Sequence, residues 1–166
     1  TAGMGADIFE SYIASVVGAM ALAIGMYSTQ LDYVALPIVL CAIGLVASLV
    51  GLGSLFISRA GLGAMLHKAA YIAVAVFIAG AYGYLYLMGM DISLIGSIIL
   101  GAVSGTVIGF VTDYYTSGTP VTRLAETSKS GAATNLIFGL SVGFESVVVP
   151  VCVIASVVYI SFEWFG

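Results

Sequence analysis

Five long apolar runs, each about as long as a bilayer crossing, restrict the fold of this sequence more than any other feature. They cover roughly residues 6–27, 33–57, 69–88, 92–111 and 132–160. A hydrocarbon core about 30 Å thick takes about 20 helical residues to cross. The fold class expected is therefore all-α: a polytopic transmembrane helix bundle with five spans. Composition agrees, since the chain is 61% hydrophobic and only 7% charged, whereas about a quarter of residues are charged in a soluble domain.

The connections set the topology. Between the first two spans stands "STQLD", and between the third and fourth "GMD", both short and acidic. "SRAGLGAMLHK" carries Arg59 and Lys68, and the polar stretch at 112–131, read as a cytoplasmic loop, carries Arg123 and Lys129. All four bases thus fall in the second and fourth connections, which the positive-inside rule places on the cytoplasmic side. Gly166 is then external. The eight acids outnumber the four bases, giving a net charge of -4. No basic patch exists to attract a polyanion, so nucleic acid is not an expected partner. Cys41 and Cys152 lie inside apolar runs and read as buried reduced thiols. Thr1 is not an initiator methionine and no basic segment precedes the first run, so the sequence reads as a piece of a longer polypeptide.

Gly101, Gly105 and Gly109 recur every four residues in the fourth span, as do Gly139 and Gly143 in the last. Such spacing lines one helix face with small residues and lets another backbone approach. Pro150 lies within the last span, where a kink or strong tilt is expected.

Ionisable residues inside a membrane each need a partner or water. At 100° per residue, Gly3, Asp7, Glu10, Ser11, Ala14, Gly18, Ala21 and Gly25 form one stripe of the first span, about 100° wide. Phe9, Tyr12, Ile13, Val16, Val17, Met20 and Ile24 form the opposite face. Two carboxylates three residues apart repel when both are ionised. A bound cation, a lysine or arginine, or a shared proton relieves that repulsion. The residues therefore admit ion handling, or pairing with bases that merely fixes the bundle. Glu145, near Ser146 and Asn135, is read as deep in the last span, with a hydrogen bond to another helix expected. Asp113 reads as a loop cap or a partner of Arg123 or Lys129. His67 lacks the companions of a metal site, and Trp164 reads as an interfacial anchor. No nucleotide loop, zinc motif or Ser-His-Asp set is present.

"TAGMGADIFESYIASVVGAMAL" resembles the sixth transmembrane helix of the membrane-bound, ion-pumping inorganic pyrophosphatases. "TDYYTS" and "RLAETSKSGAATNLIFGLSVGFESVVVPV" are similar to that family's stretch from the end of its ninth helix through its tenth. The resemblance implies a homodimeric sixteen-helix pump, with this chain as helices six to ten. Such a pump hydrolyses pyrophosphate with Mg2+ at the cytoplasmic face and exports sodium or protons, in some members with K+ as activator. The hydrolytic residues are expected outside this chain, their acidic run ending just before Thr1. Asp7, Glu10 and Ser11 match the family's ion gate, where an arginine and a lysine come from helices five and sixteen. The resemblance gives Asp7 the pairing with those cations, Glu10 the binding of the ion or proton, and Ser11 an oxygen ligand for Na+. Glu145 is a secondary candidate. The expected location is a prokaryotic cell membrane, as an integral multi-pass protein. A stand-alone channel or transporter subunit, or a structural bundle without hydrolysis, is the competing reading of the residues.

Overall fold

The computed structural model describes residues 2–26, 31–56 and 62–165. Arg59 and most of the "STQLD" connection lie outside the described residues. Among the described residues the regular structure is helical: α1 (Ala2–Met26), α2 (Leu31–Leu55), α3 (Leu62–Met88), α4 (Leu94–Ser117), α5 (Thr119–Thr127) and α6 (Ala132–Phe165), with a 3-10 turn at Ser128–Ser130. Five stretches are long and apolar enough to cross a membrane, the fourth running from Leu94 to Ser130 and so including α5. Helices of this kind satisfy their peptide groups internally, which is what a water-free hydrocarbon layer demands.

The chain divides into two compact units, residues 1–84 and 85–166. In the first, small residues let α2 and α3 meet. A Cβ added at Gly51 would lie 2.7 Å from the Ala69 carbonyl oxygen and 2.9 Å from the Ala73 Cβ. One added at Gly80 would lie 2.7 Å from Ile43 Cγ2, and Gly44 faces the Phe77 ring. Residue numbers of facing pairs sum to nearly the same value, so the two helices run antiparallel in one register. Ala47, Gly51, Ala69 and Ala81 are buried.

The second unit opens with a helix stop. Gly89 adopts φ +64°, which favours glycine, and its N–H reaches the Tyr86 carbonyl at 3.3 Å while the Met90 N–H reaches Leu85 at 3.0 Å. This is a Schellman ending, and its usual apolar contact is present, with Leu85 and Met90 both buried. Asp91 then starts α4. Its carboxylate accepts the Ser93 N–H at 3.0 Å, and the bonds from Ser93 hold the carboxyl below its ordinary value.

From there α4 and α5 run antiparallel to α6. Gly96 abuts the Phe165 ring, Tyr115 bonds to Glu145, Leu124 lies beside Gly139, and Thr127 bonds to Asn135. These pairs keep one register, so α4 and α5 form one arm of a helical hairpin and α6 the other. The stretch at 112–131, read as a loop, is helical for most of its length. Nothing in "TDYYTS" breaks a helix, and α4 continues until Gly118-Thr119-Pro120. Proline supplies no N–H and disfavours helical backbone in the residue before it. A Cβ at Gly118 would strike the Tyr114 carbonyl, whose oxygen accepts the Gly118 N–H at 2.9 Å. By contrast, α6 is helical without interruption through Pro150.

Two sequence expectations change. Gly101, Gly105 and Gly109 do not meet another helix among the described residues, because an added Cβ there finds nothing within 4 Å. Each stands one residue, about 100°, past the half-buried line of Leu100, Ser104 and Ile108 that faces α6. Both cysteines are free thiols, but Cys152 is exposed and only Cys41 is half-buried.

Gly51→Ala is expected to destabilise the protein by about 1–3 kcal/mol, because the added methyl meets backbone that has no room to shift. Gly53→Ala, where a Cβ meets nothing within 4 Å, is expected to be neutral. Thermal unfolding of the two variants in detergent checks the pair.

Candidate functional site

The stripe of acids is fixed by how α1 packs. Val16, Met20 and Ala23 are half-buried, and the Tyr12 hydroxyl donates to the Cys41 carbonyl of α2 at 3.3 Å. Those four positions define the side turned to α2. Asp7, Glu10, Ser11, Ala14, Gly18, Ala21 and Gly25 are all exposed, and a Cβ at Gly18 or Gly25 would meet nothing within 4 Å. At 100° per residue the mean directions of the two sets differ by about 170°. The helix thus turns the line of Tyr12, Val16, Met20 and Ala23 to α2 and leaves its acidic face open among the described residues, with Phe9, Ile13, Val17 and Ile24 exposed as well.

Asp7, Glu10 and Ser11 come together on that face. Asp7 and Glu10 are neighbours at i and i+3. Ser11 follows Glu10, and its carbonyl accepts the Ser15 hydroxyl at 2.9 Å. A serine bonded back to the carbonyl four residues earlier loosens the helix ladder locally, here one turn below the acids. Two carboxylates and a hydroxyl are hard oxygen donors of the kind that bind Na+ or hold a proton. The other donors or bases required to balance two acids must come from outside α1. Among the described residues no group of three His, Cys, Asp or Glu side chains gathers as a metal site.

Glu145 lies in the other unit, and the expected hydrogen bond to another helix is present, although Ser146 and Asn135 do not make it. Ser146 turns to the Gly143 carbonyl at 2.7 Å, and the Asn135 side-chain oxygen accepts the Thr127 hydroxyl at 3.0 Å. The partner is Tyr115, whose hydroxyl donates to Glu145 Oε1 at 3.1 Å. Tyr115 is braced edge-on by Tyr114, with ring centres 5.2 Å apart. Sequence reading missed Tyr115. The available signal was the hydroxyl-bearing pair inside "TDYYTS", but assigning it required the register of α4 against α6. That register also sets the level of Glu145 against α4. It stands level with the last turn of α4, twenty residues from Phe165, or about 30 Å along α6.

The family model described as inorganic H+ pyrophosphatase matches residues 1–166. The chain belongs to that family. A "K(+)-insensitive pyrophosphate-energized proton pump" from Methanosarcina mazei is 36% identical over 169 residues, covering 99% of this chain and 25% of that protein. The protein of the same description from Caldanaerobacter subterraneus subsp. tengcongensis is 34% identical, with 98% of this chain and 25% of the relative covered. A "Putative K(+)-stimulated pyrophosphate-energized sodium pump" from Clostridium tetani is 34% identical, with 99% and 25% covered. The chain therefore spans about a quarter of the length of these relatives. No solved structure matches it. Family membership and the five apolar helices make this an integral, multi-pass membrane protein.

Removing the hydroxyl of Tyr115 tests the link between α4 and α6. Tyr115→Phe is expected to lower the unfolding temperature and speed amide exchange at the end of α4, because it leaves Glu145 Oε1 without its donor. Glu145→Gln keeps an acceptor and is expected to retain most of the protection. Equal protection in Tyr115→Phe and the unchanged protein would overturn the assignment.

Proposed function

We propose that this chain is the gate-bearing portion, helices six to ten, of a pyrophosphate-energised pump that hydrolyses pyrophosphate at the cytoplasmic face and exports protons or sodium. The observation that carries the reading is the open acidic face of α1, within a chain whose whole length matches the pump family. Asp7, Glu10 and Ser11 face away from α2 because they serve helices of the same polypeptide beyond these 166 residues. Bases there balance Asp7, Glu10 takes the exported ion or proton, and Ser11 adds an oxygen ligand when the ion is Na+. The hydrolytic centre and its Mg2+ belong to those further helices. The working unit is a homodimer in the cell membrane of a prokaryote, in keeping with the bacterial and archaeal relatives.

The relatives include both proton pumps and sodium pumps, and both K+-insensitive and K+-stimulated ones. Ion and activator are therefore assigned by transport assay. Glu10→Ala in the full-length protein, reconstituted in vesicles with pyrophosphate and Mg2+, is expected to lose most ion uptake. Hydrolysis is expected to fall with it, because the two are coupled at the gate. Losing the carboxylate leaves the opposing bases unbalanced in a poorly solvated site, a change of several kcal/mol at most. Undiminished uptake in Glu10→Ala would refute the role given to Glu10.

A further inference from the structure

The hairpin of α4, α5 and α6 has a charge-free middle and a polar end. Between Glu145 and Glu163, α6 carries no charged residue, and neither does the chain from Ile92 to Thr112. The rise along α6 from Glu145 to Glu163 is about 27 Å, close to one hydrocarbon thickness of about 30 Å. The level of Glu145 and Tyr115 is thus where apolar lipid tails give way to headgroups.

At that level the two arms enclose a cavity of about 260 Å3 with a mainly polar lining. Its walls include Tyr114 from α4, Thr119 and Arg123 from α5, and Phe138, Val142 and Glu145 from α6. It is far larger than a bridging water, whose share of the liquid is about 30 Å3. Arg123 and Glu145 share the cavity, yet among the described residues no ion pair joins them. The Tyr115 hydroxyl occupies only part of the accepting capacity of the Glu145 carboxylate. The N-terminus of α5 adds positive potential on the Arg123 side, where Thr119 supplies a hydroxyl.

We propose that this cavity binds the headgroup of a zwitterionic phospholipid with a primary amine, its phosphate on Arg123 and Thr119 and its ammonium on Glu145. A phosphate alone would meet the Glu145 carboxylate, and a cation alone would meet the Arg123 guanidinium. A ligand carrying both charges a short distance apart satisfies both walls. Membrane depth supplies the source: the cavity lies at the headgroup layer, and the charge-free faces of α4 and α6 below it accommodate acyl chains.

The test uses the delipidated full-length protein and native mass spectrometry with phosphatidylethanolamine or phosphatidylglycerol added. A partly exposed charge pair changes affinity by up to about fivefold. Phosphatidylethanolamine is expected to bind about fivefold more tightly than phosphatidylglycerol, and Glu145→Gln, which keeps an acceptor for Tyr115, is expected to erase that preference. Arg123→Gln is expected to weaken both lipids. Equal binding of the two lipids by the unchanged protein, or a preference that survives Glu145→Gln, would overturn the proposal. So would displacement by soluble phosphoethanolamine at concentrations equal to those of the lipid, which would mark a solute site.

Discussion

A hydrocarbon layer offers no water to a peptide group, and everything else in this protein depends on that fact. Each crossing must close its own backbone bonds as a helix. Lipid surrounds apolar side chains as readily as protein does, so burial of bulky residues gives helices little reason to associate. Contact is left to small residues and a few polar bonds. Gly51 against the Ala69 backbone, Gly80 against Ile43, Gly96 against Phe165, the Tyr12 hydroxyl on the Cys41 carbonyl, Tyr115 on Glu145 and Thr127 on Asn135 are contacts of that kind.

The same rule gives the acids of α1 their meaning. A helix that turned Asp7 and Glu10 toward α2 would have to neutralise them there, and α2 has only Asp32 as a charged residue. The packing of Val16, Met20 and Ala23 instead turns the acids outward. That open acidic face, in a chain that covers a quarter of its relatives' length, is what the proposed gate rests on. Glu145 follows a different logic. It sits opposite the last turn of α4, where the Tyr115 hydroxyl holds it.

Much of this was legible in the sequence. Apolar length alone separated the five spans, and a period of 3.6 placed Asp7, Glu10 and Ser11 on one face opposite Val16 and Met20. Length and period report on a single helix, however, and partners depend on the register between two. For that reason the Gly101, Gly105 and Gly109 spacing suggested a close contact that α6 does not make, while Gly44 and Gly51, seven residues apart, went unread although they face α3. Register also paired Glu145 with Tyr115, a partner that the sequence of α6 alone could not name. Polarity ended the fourth span at Val111, but α4 follows backbone chemistry and continues to Ser117, just before Gly118 and Pro120.

The central claim is that the acidic face of α1 borders a water-accessible path in the complete protein while the opposite face is packed. Single cysteines at Ala14, Gly18 and Ala21, and at Val16, Met20 and Ala23, in a full-length background without native cysteines, test it directly when treated with a small charged thiol reagent in intact membranes. Labelling requires water, because only the thiolate reacts. The account predicts modification at the first three positions and protection at the second three. Protection along the acidic face, or labelling confined to the Val16, Met20 and Ala23 side, would contradict it.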